Sequence, residues 1–149
     1  GMAFLGGFIF VFWVALAHVI IKKRYAGIVT ALLIASFCII ITPWYGIVSP
    51  IWFGGYAIAA LVSMGIIVEL TATASASKSK TKSRVRVVTV TGGGLGNVAC
   101  LGITWIAIGV HAGVWVPSKW APILILGAFV SGCVGSLMAY FLSLLVRGE

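Results

Sequence analysis

Five stretches of about twenty residues each (2–21, 26–45, 50–70, 94–114 and 121–146) contain one Asp, Glu, Lys or Arg between them, Glu69. An α-helix needs about 20 apolar residues to cross a hydrocarbon core of ~30 Å. Within that core every backbone polar group must find its partner inside the segment, so helices are the natural solution for separate apolar runs. Only 8% of the 149 residues are charged and 62% are hydrophobic, against about 25% charged in a soluble domain. Such a chain lacks the polar surface to face water all round. The expected fold class is all-α: a polytopic transmembrane helical bundle of five spans, forming one domain over residues 1–149 in a multi-pass integral membrane protein.

Punctuation agrees with these limits. Pro43-Trp44-Tyr45-Gly46 closes the second stretch, because proline and glycine oppose helix continuation. Pro50 opens the third, at a position where proline is favoured. The basic cluster Lys22-Lys23-Arg24 follows the first stretch instead of preceding it, which is the reverse of a signal peptide, so that stretch reads as a permanent span. Gly1 before Met2 is not counted in the first span.

The charges set an orientation. Lys22, Lys23, Arg24, Lys78, Lys80, Lys82, Arg84, Arg86 and Arg147 are nine of the ten basic residues, and Lys119 is the tenth. With five spans, the nine fall on one side and Lys119 on the other. Basic residues concentrate in cytoplasmic segments, so the N-terminus is expected outside and the C-terminus in the cytosol. The net charge of +8 is thereby a membrane signal; no aromatic stacking platform accompanies it, and a nucleic-acid partner is not expected. Trp44, Tyr45, Trp52, Phe53 and Tyr56, with Trp115 and Trp120, flank the two external connections, where aromatic belts anchor spans at the interface.

Between the third and fourth spans, residues 71–91 read as a basic cytosolic loop. Its Ser/Thr/Lys-rich first part is expected to be solvated. Arg84 to Thr91, which alternates polar and apolar residues, fits either a short surface strand or the early part of a longer span 4.

Small residues recur in the fifth span. Gly127, Ser131, Gly135, Ala139 and Ser143 are spaced by four, beside a second row of Ala128, Gly132 and Ser136. Such faces let helix backbones approach closely in lipid, where dispersion drives association. Gly109 and Gly113 form a G-x-x-x-G pair in span 4, and Gly55, Ala59 and Ser63 a shorter row in span 3. The spacing leaves open whether the partner of span 5 lies in this chain or in another.

The run Thr91-Gly92-Gly93-Gly94-Leu95-Gly96-Asn97-Val98-Ala99 contains G-x-G-x-x-A, but no βαβ context surrounds it and no acid follows about 20 residues later. A milder reading gives free N–H groups at the start of span 4 a lipid phosphate, with Arg84 and Arg86 as its cationic contacts. The partners implied are the bilayer itself, anionic lipids at the basic loop, and copies of the chain or other membrane subunits.

His18 and Glu69 are the ionisable groups that invite a functional reading. Both sit at the cytosolic ends of their spans, at similar depth, and would pair if spans 1 and 3 touch. The pair is a possible proton or cation site, or an interfacial salt bridge. His111 lies near the outer end of span 4, roughly 20 Å from the depth of His18, too far for both to ligate one haem iron. Cys38, Cys100 and Cys133 sit in apolar stretches without C-x-x-C spacing, which points to neither a disulfide framework nor a zinc site. No catalytic residue, metal or cofactor is assigned. Two function classes remain in front. One is a non-catalytic subunit acting by helix packing in a homo- or hetero-oligomeric membrane complex. The other is a small transporter or channel using His18 and Glu69, with Asn97, Thr104 and His111 as further polar residues on its path. A membrane enzyme would need more positioned titratable groups than the His18 and Glu69 pair.

Overall fold

A computed structural model of the chain describes residues 2–21, 23, 25–45, 50–78 and 82–147. Gly1, Lys22, Arg24, residues 46–49 and 79–81, and Gly148 and Glu149 lie outside the described residues. So do the side chains of Trp44, Tyr45, Trp52, Phe53, Lys78, Lys82, Arg84 and Arg147. Among the described residues the fold is all-α, with α1 (Met2–Ile21), α2 (Ala26–Tyr45), α3 (Pro50–Lys78), α4 (Lys82–Ala112) and α5 (Ala121–Arg147).

Three stretches are long and apolar enough to cross a membrane: Gly55–Ala74, Arg86–His111 and Ala121–Val146. Two shorter apolar stretches, Gly7–Ile21 and Ala26–Ile40, accompany them. The distribution of polarity is that of a membrane protein. Leu33, Phe37, Ile40, Leu126 and Leu145 are among the large apolar side chains that point outward, while Glu69, Thr89, Asn97, Ser136 and Ser143 are buried. In water such an exterior would be one large aggregation-prone patch.

Successive helices run antiparallel, so α1, α3 and α5 point one way and α2 and α4 the other. Helices α2, α3, α4 and α5 form an arc in chain order, each touching the next, and α1 closes it between α5 and α2 while also touching α3 and α4; Ile9 and Trp13 of α1 stay exposed. Val11, Ala35, Leu61 and Met64 form one buried cluster among α1, α2 and α3, and Val14, Ala31 and Val68 form a second. Ala15 and Leu16 pack on Ala139 to join α1 to α5.

Residues 71–91, expected as a loop, are helical over 71–78 and 82–91. Helix α3 continues to Lys78 and α4 begins at Lys82. The physical reason lies in the residues: Thr71 to Lys78 holds no glycine or proline, and Ala, Lys and Ser tolerate the helix well. Threonine hydroxyls bond back to the preceding turn, as Thr71 Oγ1 does to the Ile67 carbonyl at 2.8 Å. Arg84 to Thr91 therefore belongs to a longer α4, and the strand alternative is excluded. At 1.5 Å per residue, α3 runs on about 13 Å past Glu69.

The glycine run sits inside α4, ten or more residues from its N-terminus. Its N–H groups belong to the helical ladder, so the phosphate cradle expected at the start of span 4 does not form there. The glycines serve close approach on two sides. Gly92 faces Thr71 and Gly96 faces Met64 and Val68 of α3, while Gly93 and Gly94 face Gly132, Cys133, Phe129 and Ser136 of α5. A β-carbon at Gly132 would lie 2.9 Å from the backbone carbonyl carbon of Gly93.

The small residues of α5 find their partners within the chain. Ala128, Gly132 and Ser136 lie against α4. Gly135 lies against α1, where a β-carbon would come within 2.7 Å of the Phe8 carbonyl oxygen, and Ala139 is fully buried beside Ala15. Ser143 is buried and donates to the Tyr140 carbonyl at 2.6 Å; Gly127 and Ser131 are half-buried. Gly109 and Gly113 do not act as a packing pair. The Trp115 ring folds back onto Gly109, within 2.6 Å of where its β-carbon would be. Gly113 has φ +66° just after the last residue of α4, the left-handed position that ends a helix. Identical spacing thus serves two unrelated purposes.

Candidate functional site

The site begins with a helix that lacks its own cap. The residues before Ala26 are Lys22-Lys23-Arg24-Tyr25, none of them a Ser, Thr, Asp or Asn whose side chain takes up the first free N–H groups of a helix. Tyr25 supplies the carbonyl that accepts the first bond of α2, from the Val29 N–H at 2.9 Å. It does so with φ +72°, a left-handed conformation that costs a side-chain-bearing residue about 1–2 kcal/mol.

Glu69 takes the missing role from across the bundle. Its Oε1 accepts from the Tyr25 N–H at 3.0 Å, and its Oε2 accepts from the Gly27 N–H at 3.1 Å. A carboxylate on these donors also sits at the positive end of the α2 dipole. Ala26 closes the turn locally by donating to the Lys23 carbonyl at 3.2 Å. Gly27 is the residue that permits this approach, since a β-carbon there would lie 3.1 Å from Glu69 Oε2. One helical turn away, Gly65 lets α3 close on Ala31 and the Gly27 carbonyl in the same way.

His18, in the last turn of α1, completes the group with Nδ1 3.1 Å from Glu69 Oε2. The Glu69 residue is 5% exposed, whereas the His18 side chain is 20% exposed and the Glu69 side chain 7%. The buried carboxylate therefore joins three elements: the end of α1, the start of α2 and the last part of α3. Three donors meet its two oxygens, which is a satisfied arrangement for a buried anion.

Other residues singled out by sequence lie elsewhere. His111 stacks edge-on against Tyr56 at 4.9 Å between ring centroids, joining the far ends of α3 and α4. Thr104 donates to the Cys100 carbonyl of its own helix at 2.8 Å. Arg86 is exposed, its guanidinium 4.8 Å from the centre of the Phe141 ring and 6.0 Å from that of Tyr140. Cys38, Cys100 and Cys133 form no disulfide with one another. Among the described residues no group of three or more His, Cys, Asp or Glu side chains is placed to hold a metal ion.

Two further polar residues lie buried between the helices. Asn97, on α4 where α1 and α5 meet it, donates its amide to the Ala128 carbonyl at 2.8 Å. Its neighbour Gly7 has no β-carbon, which leaves room for that amide. Ser136 is fully buried and its hydroxyl has no hydrogen-bond partner among the described residues; it packs over Gly93. An asparagine between two apolar helical turns is a readable signal for a cross-helix bond, whereas Ser136 reads only as one more small residue of its row. No protein-family model, curated protein or solved structure matches the chain.

Proposed function

We propose that the chain is a non-catalytic subunit of a homo- or hetero-oligomeric membrane complex, crossing the bilayer five times with its N-terminus outside and its C-terminus in the cytosol. The observation that carries the reading is the state of Glu69. Both carboxylate oxygens are taken by the α2 N-terminus and His18, so the one acid placed within the bundle holds helices together. A transport site would instead keep ligand-binding valence open to its cargo.

The internal use of the α5 small residues moves any contact with a second chain to the outer faces. Helix α2 is one of the two with the fewest neighbours: among the described residues it touches only α1 and α3, as α5 touches only α1 and α4. Val29, Leu33, Phe37 and Ile40 form an exposed stripe along α2, at the spacing of one helix face. Clustering of the cations at one end supports the stated orientation.

The test is purification from native membranes in mild detergent, with identification of co-purifying chains, beside flux measurements on the purified protein in vesicles. A defined oligomer or a stoichiometric partner, with no flux sensitive to Glu69→Gln, supports the reading. A solitary monomer carrying a flux that Glu69→Gln abolishes replaces it with the transport reading.

A further inference from the structure

We propose that the basic end of the bundle binds an anionic phospholipid, with Arg86 on the headgroup phosphate and one acyl chain along the outer face of α5. The inference rests on the chain lying in a bilayer, not on its being a subunit of a larger complex.

The argument starts from charge. Antiparallel packing gathers the end of α1, the start of α2, the end of α3, the start of α4 and the end of α5 at one end of the bundle. In the sequence, nine of the ten basic residues fall within or next to these termini, while the chain holds two acids, Glu69 and Glu149. Glu69 is spent inside, on the α2 backbone and His18. Its single charge offsets no more than one of the nine cations. The counter-charge has to come from outside the chain, and anionic headgroups are the source at that depth.

Arg86 is the cation best placed to make this specific. It lies where the apolar stretch of α4 begins, and its guanidinium rests on Phe141 with Tyr140 alongside. A ring beneath one face fixes the planar group and leaves its N–H edge to meet phosphate oxygens in a forked geometry. Below it, Phe141, Met138, Val134 and Val130 are exposed along one side of α5. The eleven helical steps from 130 to 141 rise about 16 Å, enough to run beside most of one acyl chain. Charge and apolar surface are thus joined in the order a phospholipid presents them.

The experiment titrates the purified full chain in detergent with phosphatidylglycerol or phosphatidylcholine and counts bound lipid by native mass spectrometry. Insertion is checked separately by resistance of the membrane-bound protein to alkaline extraction, so that loss of the bilayer reading is distinguished from loss of the site. Phosphatidylglycerol is expected to be retained in preference. Arg86→Gln should lower that preference about fivefold, the worth of one surface cation. Lys119→Gln, at the opposite end, should leave it unchanged, and excess inorganic phosphate should not displace the lipid. Phe141→Leu should weaken it by a smaller factor, and it carries the test if Arg86→Gln fails to fold. Equal retention of the two lipids, equal losses in the Arg86 and Lys119 variants, or displacement by inorganic phosphate would overturn the proposal.

Discussion

Replacing Glu69 by glutamine keeps the shape of the side chain and removes its charge and one of its acceptors. The amide nitrogen must take the place of Oε1 or of Oε2. In the first case it meets the Tyr25 N–H, and in the second the Gly27 N–H. One backbone donor is orphaned either way, at a cost of about 1–3 kcal/mol. The bond that survives loses its charge assistance, and the N-terminus of α2 loses an anion worth about 0.3–1 kcal/mol or somewhat more when partly buried. Together these terms give a loss of about 2–4 kcal/mol for Glu69→Gln. His18→Ala should cost less, about 1 kcal/mol, because it removes one hydrogen bond from a partly exposed side chain and orphans no backbone donor. Unfolding in mixed micelles measures both variants, and hydrogen exchange reads the cap directly at the amides of Tyr25 and Gly27. The order is the decisive outcome. Equal costs for the two variants would mean that the site is an ion pair and not a helix cap. A Glu69→Gln loss below about 0.5 kcal/mol, with unchanged exchange at Gly27, would refute the capping argument itself.

Two further outcomes follow from the packing. Gly132→Ala should destabilise the bundle by about 1–3 kcal/mol through overpacking, since the new carbon meets the Gly93 backbone; Gly55→Ala, with nothing within 4 Å, should be neutral or stabilising, and thermal unfolding of the pair reads the contrast. Ser136→Ala removes a buried hydroxyl that has no partner, so the same assay should show no loss or a gain of up to about 1 kcal/mol.

Part of this site is legible in the amino-acid sequence. A helix rises by a fixed 1.5 Å per residue, so counting from the span ends places His18 and Glu69 at one depth; their 3.1 Å contact adds that α1 and α3 meet there. The cap is hidden because its acceptor is 42 residues from Gly27 in sequence. Its only local trace is a deficit, the run Lys-Lys-Arg-Tyr-Ala without a capping side chain. The long ends of α3 and α4 are hidden for another reason. Hydropathy reports where lipid contact stops, whereas a helix stops where its backbone bonds fail, and Thr71 to Lys78 gives them no cause to fail. Gly109 and Gly113 have the spacing of a packing motif, yet the left-handed backbone at Gly113 is a property of conformation that spacing does not encode. For the α5 rows the face is readable and the partner is not, because both α1 and α4 offer small residues to it.

The position of α1 bears on how the bundle is assembled during synthesis. This helix precedes the other four and contacts every one of them, so each newcomer docks on a surface already waiting. The side formed by Phe8, Phe12, Ala15 and Leu16 is reserved for α5, the latest of the five to leave the ribosome. Until then no helix of this chain covers that side, and the four-helix intermediate carries an open seam. Mutations along the seam should therefore strike biogenesis before they strike the finished protein.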